Sequence, residues 1–332
     1  MTFPLAALDD IARLDLPQPD AQAAQAARAR QASLTKPPGS LGRLEELAAF
    51  MAGWQRVARP RIARAQALVF AGNHGICAQG VNPFPQAVTA LMVANFQAGG
   101  AAINQLCRVA GADLSVVALD LDRPTQDFTQ SPAMSMAECL DAFNRGAAAV
   151  DLGADVLCLG EMGIGNSTIS AALAHSICGG DAADWVGRGT GSDAGGLARK
   201  ADVVARGVAR HAGLSPLALL AALGGREQAA ISGAVMAARM ARIPVLLDGY
   251  ICTAAVAPLH GARPDSLSHC LIGHRSAEPG HARLCAAMGK TPLLDLGMAL
   301  GEGTGAALAL SVLRGALACH DGMATFAEAG IG

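Results

Sequence analysis

The sequence predicts an α/β protein in which a parallel sheet of about six strands is covered by helices. Three observations predict it. From residue 66 onward, short continuous apolar runs alternate with longer Ala-rich stretches, and uninterrupted apolar strands are what a sheet buried on both faces requires. Glycine is abundant, 39 in 332 residues, which suits tight strand-to-helix turns. Charged residues make up 16%, against about 25% in ordinary globular chains, so the chain is built mainly to be buried.

The elements follow in order. Residues 20 to 34 and 41 to 56 read as helices, the second with Leu41, Leu44, Leu47, Ala48 and Met51 on one face and Ser40 as its N-cap. Between them Lys36-Pro37-Pro38-Gly39 forms a stiff turn. Strands are expected at Ala67 to Ala71, Leu114 to Leu119, Asp155 to Gly160, Pro244 to Asp248 and Cys270 to Gly273, with Leu293 to Leu296 as the sixth. Thr168 to Ile177 and Thr304 to Cys319 read as helices, and Lys200 begins another through Val203, Val204 and Val208. The expected organisation is a sheet domain over 61–303 and a small helical domain assembled from 1–60 and 304–332.

Composition excludes several classes. A net charge of -2 and no run of Lys or Arg argue against a nucleic-acid surface, which needs clustered positive charge. Asp9 and Asp10 interrupt any signal-type apolar run, and no stretch has the roughly 18 uncharged apolar residues of a membrane span. The expected location is the cytosol. Nine cysteines without a CxxC pair read as reduced thiols, and the spacing of His260, His269, His274 and His281 matches no zinc pattern. No metal and no cofactor enter this reading.

In an open parallel sheet the ligand lies beyond the carboxyl ends of the strands. The residues found there are Gly72-Asn73-His74-Gly75, Gly160 to Thr168, Asp248-Gly249, His274-Arg275-Ser276 and Gly301-Glu302-Gly303-Thr304-Gly305. Gly163 to Thr168 leads into a helix, where backbone N–H groups and the positive helix end suit an anion, although an ordinary tight turn reads as well. There is no GKS or GKT, so the loop is no triphosphate P-loop. Glu161 and Glu302 each follow an apolar run and stand between glycines or beside one. Glu302 suits a general base if its surroundings, such as Met298, Leu300 and Leu308, are apolar enough to raise its pKa.

Taken together, KPPGSLGRLE (Lys36 to Glu45), AGNHG (Ala71 to Gly75), LGEMGIGNST (Leu159 to Thr168), PVLLDG (Pro244 to Gly249) and LGEGTGAALAL (Leu300 to Leu310) resemble the nicotinate-nucleotide:dimethylbenzimidazole phosphoribosyltransferase family. The motifs span nearly the whole chain in the family's order. The resemblance implies a Rossmann-like sheet domain with a small helical domain, and a homodimer. It also implies transfer of phosphoribose from nicotinate mononucleotide to an azole base, 5,6-dimethylbenzimidazole or a relative, for the lower ligand of cobalamin.

By the same resemblance Glu302 is the catalytic base, with Glu161, Lys200 and Asp248 as further acidic and basic residues of the site. Asn166, Ser167, Thr168, Gly189, Thr190, Gly191 and Ser276 fall where the nucleotide would be held. Phe84 and Met92 stand where some members carry Ser and Gln, which makes the acceptor pocket more apolar, together with Met298 and Leu300. Asn73 replaces an Asp found in many relatives. A nicotinamide-dependent oxidoreductase is the first rival, but the turn after the first strand lacks a dinucleotide fingerprint. The second rival is a non-catalytic sensor, which has no need of a general base.

Overall fold

The computed structural model describes residues 3–189 and 191–331. In chain order the elements are α1 (Ala21–Ser33), α2 (Arg43–Gln55), β1 (Ala65–Ala71), α3 (Ala87–Ala98), α4 (Ala102–Ala110), β2 (Asp113–Ala118), α5 (Met136–Ala148) and β3 (Val156–Met162). They continue with α6 (Asn166–Cys178), α7 (Ala194–Arg210), α8 (Pro216–Leu223), α9 (Arg226–Met240), β4 (Val245–Leu247), α10 (Tyr250–Ala262), β5 (Cys270–Ile272), α11 (Pro279–Ala287) and α12 (Thr304–Gly322).

The strands form one parallel sheet in the order β2-β1-β3-β4-β5. The chain begins at β1, steps outward to β2 and then crosses to β3, so the connections leave in opposite directions from the gap between β1 and β3. That gap is a topological switch point, where loops diverge and open a crevice. Side chains alternate across the sheet. Leu68, Phe70, Leu157, Leu159, Val245 and Leu247 enter the core shared with α5, α6, α8, α9 and α10. Ala67, Val69, Val156, Cys158 and Leu246 pack on the other face with α2, α4 and α12.

The expected sixth strand is absent from this sheet. Leu293 N–H donates to Ile272 and Leu294 N–H to Gly273, but the pairing is a single bridge between His274 and Leu294. Pro292 has no N–H to extend it, and the chain turns away at Gly297, where φ is +68°. Two other expectations are corrected. The N-cap of α2 is Gly42, not Ser40. Glu45 takes over the capping work, its Oε1 accepting from Leu41 N–H at 3.1 Å and from Lys36 Nζ at 2.7 Å. Lys200 lies inside α7, which starts at Ala194 under the Asp193 cap.

The end of α1 meets the C-terminal segment, whereas Leu5 is tied to Asn144 of α5. Leu34 and Thr325 form an antiparallel bridge, and the Arg30 guanidinium donates to the carbonyls of His320, Asp321 and Met323 at the end of α12. α12 also lies across β3 and β4 and against α2 and α4. Among the described residues no helix is long and apolar enough to cross a membrane. All nine cysteines are free thiols.

Candidate active site

A cavity of about 380 Å³ opens at the carboxyl ends of the strands. Its wall has two chemical halves. Phe84, Val88, Met92, Met162, Ile164 and Leu300 supply apolar surface, whereas Glu161, Asn166, Ser167, Asp248, His274, Ser276, Glu278 and Glu302 supply polar groups. α3 contributes Val88 and Met92 because few of its apolar side chains enter the core. Phe84, on the loop before it, is half exposed.

Glu302 sits in left-handed backbone at φ +67°, a conformation uncommon for a residue with a side chain. Hydrogen bonds beneath the turn hold it there. Asp248, placed by the end of β4, accepts from Gly303 N–H at 2.9 Å and from Ala306 N–H at 3.0 Å, and so caps α12 from below. His274 Nε2 lies 3.5 Å from the same carboxylate. Asp248 and Glu302 are both buried. Burial, followed by the charge of Asp248, pushes the Glu302 carboxyl above its usual range.

Glu161, at the end of β3, is perturbed more strongly. Burial pushes it up to about 8, with the charges of Asp248, Glu227 and Glu302 adding to the effect and a hydrogen bond from Asn166 opposing it. Asn166 Nδ2 donates to Glu161 Oε2. A Cβ at Gly301 would displace the Glu161 carboxylate. The motif Gly-Glu-Gly is therefore partly a fit against a second carboxylate, which the sequence alone does not reveal.

The Lys200 ammonium and several hydrogen-bonding groups gather at the other end. Lys200, almost fully buried, donates to Gly187 O at 3.1 Å and reaches Ser167 Oγ at 3.3 Å. Burial lowers its pKa, and the nearby Glu278 partly restores it. Glu278 Oε1 accepts Gly189 N–H at 2.9 Å. The first turn of α6 begins after Gly165, with Asn166 and Ser167 on the cavity wall. Ser276 is fixed through His281, whose Nδ1 accepts its N–H at 2.8 Å while Nε2 meets Thr253 Oγ1 at 3.0 Å. Burial holds His281 neutral, with a pKa down to about 3.

The structure thus brings Glu161, Asn166, Ser167, Gly189, Asp248, Ser276, Phe84, Met92, Leu300 and Glu302 to one cavity. Lys200 reaches that wall through Ser167. Thr168 is fully buried in α6 behind it, Gly191 is exposed outside it, and Met298 lies half buried with its carbonyl paired to Ala277. Thr190 lies outside the described residues. Asn82, Tyr250 and Glu278 also line the cavity without having been anticipated. No motif marks Asn82 or Glu278, while Tyr250 carried a signal in its place directly after Asp248-Gly249.

Known proteins share this sequence and fold. A family profile described as phosphoribosyltransferase matches residues 16–331. The nicotinate-nucleotide–dimethylbenzimidazole phosphoribosyltransferase of Rhodobacter capsulatus is 65% identical over 316 residues, covering 95% of each chain. Its namesake from Ruegeria pomeroyi is 59% identical, covering 98% of this chain and 99% of its own. The crystal structure of the Thermus thermophilus enzyme of that name superposes with a TM-score of 0.86 at 39% identity, over 94% of this chain and 99% of that one. With identity this high over nearly the whole length, the chain belongs to the nicotinate-nucleotide–dimethylbenzimidazole phosphoribosyltransferase family.

Proposed function

We propose that this enzyme transfers 5-phosphoribose from nicotinate mononucleotide to 5,6-dimethylbenzimidazole or a close relative, giving nicotinate and α-ribazole 5'-phosphate for the lower ligand of cobalamin. The observation that carries the reading is Glu302. Its carboxylate lines one cavity with the apolar wall of Phe84, Val88, Met92 and Leu300 and with Ser167 and Gly189 of the anion end. The names of the relatives point the same way.

The chemistry follows from the two halves. The phosphate fits against Lys200, Ser167 and the α6 N-terminus, where an ammonium, a hydroxyl and the positive helix end converge. The azole ring fits the apolar half. As an azole nitrogen attacks C1', the bond from C1' to the pyridinium nitrogen breaks and its electron pair leaves with nicotinate, which needs no proton to depart. The other azole nitrogen becomes acidic, and its proton passes to Glu302. Attack from the face opposite the leaving group inverts C1', so a β-nucleotide yields an α-riboside. Holding both substrates in one cavity supplies much of the acceleration.

Glu161 is protonated at neutral pH in this scheme, and Asp248 acts by holding the Glu302 turn. A homodimer and a cytoplasmic location belong to the same proposal, as does the division of the chain near residues 60 and 303. The reduced thiols support the location. The test mixes enzyme with nicotinate mononucleotide and dimethylbenzimidazole and follows nicotinate release. Release that depends on the azole is expected, and no release across several azoles and a phenol would reject the reading.

A further inference from the structure

His74 and Glu227 have no part in that scheme, yet they are built into the crevice between β1 and β3. His74 lies in the turn after β1 and Glu227 in the first turn of α9. Both are completely buried, with His74 Nε2 3.2 Å from Glu227 Oε1. Neither ring nitrogen and neither carboxylate oxygen finds an aligned hydrogen-bond partner among the described residues. Such a pair is costly to bury, and a buried polar group without a partner calls for a reason.

Three glycines from three segments make room for it. A Cβ at Gly72 would collide with Glu227 Oε2. One at Gly163, two residues after Glu161, would lie 2.7 Å from His74 Nε2, and one at Gly225 would lie 2.5 Å from Glu227 Oε2 and 2.6 Å from His74 Cε1. On β3, Glu161 follows Leu157 and Leu159 onto the sheet face that α9 covers. Glu227 is one of the charges that press on it.

We propose that the buried His74–Glu227 pair is a positioning device for the active site, which acts on Glu161 so that Glu302 is the carboxylate left to take the proton of the azole. The inference rests on the proposed role of Glu302 as base. Neighbouring carboxyls cannot all ionise in a dry site, and one of them retains a proton. Burial and Asp248 weigh most on Glu161, and Glu227, from the α9 terminus over the same sheet face, adds to them. His74 from the β1 turn lies against Glu227, and the charge of Glu227 is felt at Glu161 on β3 and at the Cys252 thiol of α10. Arg226, its neighbour on α9, turns away to Glu138 and the Arg123 carbonyl.

The test compares Glu227→Gln, which removes the carboxyl group, with Glu227→Asp, which keeps one. Infrared difference titration of each protein against the same protein carrying Glu161→Gln reads the protonated carboxyl of Glu161 without using activity. The expected result is ionisation near pH 8 in the parent and in Glu227→Asp, moved down by about one pH unit in Glu227→Gln. The kcat for nicotinate release falls in step for Glu227→Gln, while KM for nicotinate mononucleotide stays within about twofold. An unmoved titration in Glu227→Gln overturns the proposal, as do equal losses in both variants or an unfolded Glu227→Asp. Nicotinate release by the parent enzyme tests the underlying reading separately.

Discussion

At the scale of single residues, the site crowds several carboxyls together out of water, and burial and neighbouring charge push Glu161 and Glu302 upward. Glu302 is raised by burial and by Asp248, so kcat/KM should rise with pH through a value above the ordinary carboxylate range. Glu302→Gln should lower kcat by about 100-fold or more, the usual worth of a positioned base, with nicotinate mononucleotide binding preserved in calorimetry. Equal rates in parent and variant would remove Glu302 from the mechanism. Glu161 predicts a stability effect. Its folded pKa of about 8 exceeds the ordinary glutamate value of 4.5, so between those values the folded state holds a proton that the unfolded state has released. Stability therefore falls as pH rises across that window. Glu161→Gln removes the penalty, so its melting temperature should gain on the parent's from about pH 5 to about pH 9; a constant difference would contradict this.

At the scale of elements, α5 and α9 show how small residues place the site. A Cβ at Gly146 would collide with the backbone of Ala230, and one at Gly233 with the Phe143 carbonyl. The two helices cross backbone to backbone, and nearly every residue of α9 is buried. Gly146→Ala or Gly233→Ala should cost about 1–3 kcal/mol or more through overpacking, read as a lower urea midpoint. Neither glycine is marked in the sequence, where both sit in ordinary Ala-rich helices. The five strands were legible because continuous apolar runs need no tertiary knowledge. Leu293 to Leu296 misled because an apolar run says nothing of the N–H groups that a proline withholds. Among site residues, the strand-end loops were legible by topology. Glu227 was not, since it reaches the crevice from an α9 terminus far along the chain from His74. The sequence offers Asp248 as an acidic residue of the site; its hydrogen bonds to Gly303 and Ala306, which brace the Glu302 turn, are visible only in the fold.

At the scale of the whole molecule, the helices beside β2 leave apolar side chains bare, some of them next to the acceptor half of the cavity. β2 is an edge strand paired only with β1, and only Thr89, Val93 and Phe96 of the apolar helix α3 are buried. Leu91 of α3 and Val109 of α4 are 68% and 82% exposed, and both helices pack on β2. Exposed apolar surface next to an unpaired edge is a hazard for a lone chain and an asset for a symmetric pair. A second copy is the occupant that the proposed homodimer supplies. Light scattering should give twice the chain mass of 33.5 kDa, and Leu91→Glu combined with Val109→Glu should yield a monomer. Because Met92 neighbours Leu91 and lines the cavity, loss of the pair should raise KM for the azole more than KM for nicotinate mononucleotide. A dimer unaffected by both charges would place the interface elsewhere on the molecule, and a monomeric parent at micromolar concentration would remove the dimer altogether.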